Sequence, residues 1–184
     1  MELDGGNAKG RFLLGLIYVT EERRVPVENF GQLALDQFQA VVRLQPAFPF
    51  AHYHLGKLYA IYGQPERAIE EFSKELEFHP NHSAARIELG ELLIKLNKPE
   101  PALEQLLLAE KADPSNSQTC LLIGKAYWLS GRGDDAVEAL KKCLALDVRN
   151  AEAHYLLGRI HQEAGRPLLA REHLDLFEKL KREE

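Results

Sequence analysis

The sequence predicts an all-α protein, an α-α solenoid of five stacked helical hairpins with about ten helices. Three observations predict it. Gly56, Gly90, Gly124 and Gly158 stand 34 residues apart, Ala34, Ala68, Ala102, Ala136 and Ala170 keep the same step, and so do Pro46, Pro80 and Pro114. Small residues and prolines in fixed columns at that period mark one two-helix unit repeated. Each unit buries its apolar face against its neighbours, so the core is a continuous seam.

The elements follow in order. Residues 1–7, with Asp4-Gly5-Gly6, carry turn formers and no periodicity and read as a flexible leader. Residues 8–184 read as a single array. Its first unit, 8–48, opens on Arg11-x-x-Leu14-Gly15-x-x-Tyr18; Ala34 follows Gly15 by 19 residues, where Ala68 follows Gly56 by 12, so seven extra residues sit within Thr20 to Asn29. That insert holds Glu21, Glu22, Arg23, Arg24 and Pro26 and reads as a polar loop, with the second helix from about Gly31 to Leu44. The remaining units run 49–82, 83–116, 117–150 and 151–184 without a gap. Within them the helix-to-helix turns fall at Gly63-Gln64-Pro65, Asn97-Lys98-Pro99, Gly131-Arg132-Gly133 and Gly165-Arg166-Pro167. Gly and Asn tolerate the left-handed conformation that ends a helix, and Pro suits the first position of the next. Leu55, Gly56 and Tyr59 share one helix stripe, and Ala68, Phe72 and Glu75 share another.

A formal charge of -5 gives no general electrostatic reason to bind nucleic acid. The apolar run Phe12 to Val19 is too short to span a bilayer and lacks a cleavage site, so no membrane association is expected. The cytoplasm is the expected compartment, with a periplasmic or other extracytoplasmic setting open for a trimmed fragment.

The skeleton His52-x-x-Leu55-Gly56-x-x-Tyr59, Ala68-x-x-x-Phe72, Pro80 resembles the tetratricopeptide repeat (TPR), Trp-x-x-Leu-Gly-x-x-Tyr, Ala-x-x-x-Phe, Pro, over residues 8–184. The Trp column departs, holding Arg11, His52, Arg86, Cys120 and His154, and Val148 stands in the Pro column. The resemblance implies a right-handed superhelix whose first helices line a concave face that holds partner peptides. It places Phe12, Tyr53, Ile87, Leu121 and Tyr155 in an inner row, Leu16, Lys57, Glu91, Lys125 and Arg159 in a second, and Val19, Ile61, Ile94, Trp128 and Leu129 deeper. The floor is apolar and aromatic, with basic spots at Lys57, Lys125 and Arg159 suited to a segment carrying an acid or two. The carboxylate clamp that some members use for chaperone tails is missing, because its positions hold Tyr53, Lys57, Glu88, Gln118 and Leu122. The asparagine ladder of some long arrays is missing too.

No catalytic residue, cofactor or metal site is expected: there is no phosphate loop, dinucleotide fingerprint, metalloprotease pair or nucleophile elbow. His154 and His161 stand seven apart, too far for one ion, whereas His79 and His82 flank a turn that could bring them together. Cys120 and Cys143 should be neighbours across a hairpin, as reduced core thiols in preference to a disulfide. At the last helix, Leu176, Phe177 and Leu180 occupy columns that a following hairpin would cover, which makes them a possible edge interface. The function expected is therefore a non-enzymatic protein-interaction scaffold, an adaptor for a partner's peptide segment. A self-assembling subunit joined at its terminal edges, and a docking arm of a larger protein, are the alternatives.

Overall fold

A computed structural model describes residues 7–24 and 29–183. The described residues form ten α-helices and no strand: α1 (Ala8–Arg24), α2 (Phe30–Leu44), α3 (Ala51–Ile61), α4 (Pro65–Phe78), α5 (Ser83–Lys95), α6 (Pro99–Ala112), α7 (Ser117–Leu129), α8 (Gly133–Leu146), α9 (Ala151–Glu163) and α10 (Pro167–Glu183). None is long and apolar enough to cross a membrane. The chain divides into two compact units, Met1–Leu89 and Gly90–Glu184, with the division inside α5.

Each hairpin is closed by one interlock. In the first unit Gly15 faces the Phe38 ring and Gly56 faces the Phe72 ring; a Cβ built on either glycine would stand 2.8 or 2.7 Å from ring carbons. In the second unit Gly90 faces Leu106, Gly124 faces Leu140 and Gly158 faces Leu174, with the nearest side-chain atoms 2.6 to 2.7 Å from the missing Cβ. Those distances are shorter than carbon–carbon contact, so the second helix lies against its mate only because the first has no side chain there. Ala34, Ala68, Ala102 and Ala136 are fully buried beside these contacts.

The turns follow from backbone conformation. Gly63, Asn97, Gly131 and Gly165 all have positive φ, 67°, 55°, 73° and 67°, at one column of the repeat. Pro65 and Pro99 then open α4 and α6, where a missing N–H costs nothing. Asn116 and Asn150 cap α7 and α9 by accepting from the Thr119 and Ala153 N–H groups, both at 2.9 Å.

α3 is capped differently. The residue before it, Phe50, has no capping side chain and is held at φ 66°, a strained value for a bulky residue. Glu75, fully buried on α4, supplies the acceptor instead: its Oε2 takes the Tyr53 N–H at 3.3 Å and its Oε1 takes the His82 Nδ1–H at 2.9 Å. A carboxylate at a helix N-terminus is favoured by the helix dipole as well as by the orphan N–H.

Two expectations change at the N-terminus. Asn7, assigned by its sequence context to the leader, caps α1 through its Oδ1, which accepts the Gly10 N–H at 3.0 Å. The first five residues of the expected insert loop, Thr20 to Arg24, continue α1 as helix, since no breaker interrupts them before Pro26. Val25–Glu28 and residues 1–6 lie outside the described residues.

The column that holds Trp in the repeat pattern is mostly polar and is tied across its hairpin or to the preceding turn. Arg11 donates to Gln37 Oε1 at 3.2 Å, His52 meets Glu71 at 2.6 Å and the Pro46 carbonyl at 2.9 Å, and Arg86 donates to the Pro80 carbonyl at 2.8 Å. Cys120 is the apolar exception. It and Cys143 are free thiols in one buried cluster with Leu140 and Leu157, as expected of reduced core residues. Burial raises both thiols, Cys143 to about 11, which leaves them protonated and weakly nucleophilic.

Replacing Gly124 by Val is expected to destabilise the protein by ~1–3 kcal/mol through the Leu140 contact. Thermal unfolding checks this, and an unchanged Tm would contradict the interlock.

Candidate peptide-binding surface

In the first unit the candidate residues lie on α1, α3 and the start of α5. Tyr53 is half-buried, its ring 5.3 Å from His54 and 4.8 Å from His82, and its hydroxyl donates to Glu88 at 3.5 Å. Lys57 pairs with the same carboxylate at 2.8 Å and stands 5.5 Å over the Tyr53 ring. The Glu88 hydrogen bond holds the Lys57 ammonium above its ordinary range, while burial, more than Lys57 lowers it, raises the Tyr53 phenol. Ile87 is half-buried beside Glu88 in the chain. Phe12 is half-buried in an aromatic cluster, its ring 5.6 Å from Phe38 and 5.0 Å from Phe48.

A cavity of about 230 Å³ opens beside Tyr53 and Lys57. Val19 and Ile61 of the deeper row line it, together with Leu58 and Tyr62, which sequence columns did not single out. His54 closes its floor, stacked 5.0 Å from Phe38. Burial first, then the Lys57 charge, lower the His54 imidazole to about 4.

In the second unit Lys125 pairs with Glu152, Trp128 Nε1–H donates to Glu163 at 2.9 Å, and Arg159 reaches the Tyr155 hydroxyl at 3.4 Å and Glu163 at 3.9 Å. Glu91 pairs with Lys95 one turn along α5, at 2.7 Å. Leu121 is only 3% exposed and belongs to the core of α7 to α9, and Ile94 is buried as well. Leu129 is exposed. The Tyr155 ring stands 5.2 Å from Phe177, tilted by 50°, and both line a cavity of about 470 Å³. The structure thus joins a groove residue to an edge residue in one place. Leu176 is exposed on α10, whereas Phe177 and Leu180 are half-buried. Leu168, 84% exposed, and Leu169 are the more open apolar residues of that helix, and the sequence reading missed them.

The expected basic spots have acidic partners. Lys57 and Lys125 each pair with a carboxylate of the following first helix, Glu88 and Glu152, and Arg159 stands 3.9 Å from Glu163 of its own helix. No fixed column announces these acids: Glu88 follows Lys57 by 31 residues and Glu152 follows Lys125 by 27. The surface therefore offers paired donors and acceptors beside aromatic rings, not free positive charge.

His79 and His82 do come together, on the buried Glu75 carboxylate, at 3.1 and 2.9 Å. Among the described residues no group of three or more His, Cys, Asp or Glu is arranged to hold a metal ion.

Because the folded state holds His54 neutral, the unfolded chain binds its proton first as pH falls through 6.5, and this residue's share of stability is lost toward about 4. An NMR titration is expected to give His54 a midpoint near 4; a midpoint at or above 6.5 would contradict its burial against Phe38.

Two models of the tetratricopeptide repeat match residues 29–83 and 60–125, and a TPR repeat model matches 124–165. A comparison with curated proteins returned no match. Among solved structures, MamA from residue 41 to its end, from Desulfovibrio magneticus RS-1, is 26% identical, with 92% of this chain and 96% of that chain covered and a TM-score of 0.82. YrrB, described as a TPR protein with an unusual peptide-binding site, is 20% identical, with 97% and 89% covered and a TM-score of 0.84. The three repeat models together span residues 29–165, and the chain belongs to the tetratricopeptide repeat family.

Proposed function

We propose that this TPR protein is a non-enzymatic adaptor that seats an extended or helical segment of a partner protein on its first-helix faces. The observation that carries the reading is the pairing of aromatic rings with neutralised charges: Tyr53 beside Lys57–Glu88, and Trp128 and Tyr155 beside Lys125–Glu152 and Glu163. Rings supply contact area at small entropic cost, and a paired cation and carboxylate can each exchange a bond with a peptide backbone. The cavity beside Tyr53 has room for one apolar side chain. The partner segment is accordingly one with apolar anchors and little net charge, in place of the acidic segment that the columns alone suggest.

A second reading, self-association, is favoured by α10. Leu168 and Leu169 stand where the earlier second helices carry Glu66, Glu100 and Asp134, and Arg67, Pro101 and Asp135. In this reading the edge residues Leu176, Phe177 and Leu180 belong to the same contact.

Selection of binders from a random peptide library, followed by Tyr53→Ala and Trp128→Ala, separates the two readings. The adaptor reading expects at least a tenfold loss of peptide affinity for either variant with Tm and sedimentation unchanged, as for a truncated aromatic anchor. Binders indifferent to both changes, or an oligomer that Leu168→Glu dissolves in the absence of peptide binding, would contradict it.

A further inference from the structure

The last hairpin contains a histidine pair whose bonding admits one proton arrangement at neutrality. His154, 6% exposed on α9, bonds the Val148 carbonyl through Nε2 at 3.2 Å. A carbonyl only accepts, so Nε2 carries the hydrogen. The other nitrogen of neutral His154, Nδ1, is then bare, and it stands 3.0 Å from Nδ1 of His173 on α10. His173 must therefore be the donor in the bond that ties α10 to α9.

The surroundings oppose further protons. His161, 4% exposed and also on α9, stacks 5.8 Å from His173, and its buried Nδ1 has no hydrogen-bond partner among the described residues. Lys141 of α8 acts on both His161 and His173, and Arg166 of the α9–α10 turn acts on His161. Against these cations, Glu172 of α10 supplies an opposing charge. Protonating both members of the His154–His173 pair would set two N–H groups face to face at 3.0 Å, which replaces a hydrogen bond with repulsion.

The same columns in the first unit give a contrast. His52 and Glu71 stand 102 residues, three repeats, before His154 and His173, and Pro46 stands at the Val148 position. There His52 Nδ1 meets a carboxylate, not a second imidazole, at 2.6 Å.

We propose that the His154–His173 bond is an acid-sensitive latch, closed at neutral pH and opened on acidification, that releases α10 from α9. The Gly158–Leu174 interlock and the Tyr155–Phe177 contact lie in this hairpin and loosen with it. The sign follows from linkage. Burial and the neighbouring imidazoles depress His173 below 6.5, and burial and Arg166 do so for His161. The hairpin's stability is therefore complete above that value and is lost as pH falls below it, because the unfolded chain takes up protons first. The latch does not depend on what the protein binds.

Hydrogen exchange of the full chain, read as protection factors at about pH 7.5 and about pH 5, tests this locally. Wild-type α10 amides are expected to lose protection at least tenfold at the lower pH, a change that His173→Glu, which installs the first unit's pairing, largely abolishes. NMR titration of the wild-type imidazoles guards against a variant that fails to fold, with His173 and His161 expected to titrate below 6.5. Unchanged α10 protection, an equal loss in folded His173→Glu, or His173 titrating at or above 6.5 would overturn the latch.

Discussion

The structure depends on a missing side chain repeated five times. Gly15, Gly56, Gly90, Gly124 and Gly158 leave the space that Phe38, Phe72, Leu106, Leu140 and Leu174 fill, and each large residue buries itself where a Cβ would stand under 3 Å away. Close packing of this kind turns two amphipathic helices into a hairpin with one crossing, since neither partner can shift without opening a void or a clash. The positive-φ residue that follows each first helix, Gly63, Asn97, Gly131 or Gly165, then has only to reverse the chain. With apolar closure supplied by the interlock, the former Trp column is released to hold polar residues, and Arg11, His52, Arg86 and His154 use it to bond across their hairpins or to the preceding turn.

The candidate surface inherits its character from that division of labour. Second helices are committed to the glycine contacts, so first helices carry the variable side chains. These are tied to one another before any partner arrives: Lys57 with Glu88, Lys125 with Glu152, Trp128 with Glu163. Ties of this sort hold long side chains in place and reduce the entropy a partner must remove. They also cancel charge on these faces, Lys57 against Glu88 and Lys125 against Glu152.

Much of the fold was legible because its determinants are periodic. The glycine and alanine columns, the left-handed turn residues, the Asn150 cap and the burial of Cys120 with Cys143 each follow from a residue type at a fixed step. What escaped reading is what breaks the step. Glu75 occupies a column held elsewhere by Ala109, Cys143 and Phe177, and the uncapped start of α3 after Phe50, with His82, partners the buried carboxylate there. The acids that neutralise the first helices come at unequal intervals, so charge on Lys57 and Lys125 looked free from the columns alone. Leu121 sits in the groove column but is buried in the core it shares with Cys120 and Ala153. Asn7 carried a readable sign, a capping residue three before Gly10, that its Gly-rich context obscured.

The interlock can be measured by a double-mutant cycle on Gly56→Ala and Phe72→Ala under denaturant unfolding. If the glycine is required by the ring, the added methyl costs ~1–3 kcal/mol with Phe72 present and under about 0.5 kcal/mol once the ring is gone. Equal costs in the two backgrounds would show that Gly56 and Phe72 act independently, and the packing constraint on which the hairpins are built would fail.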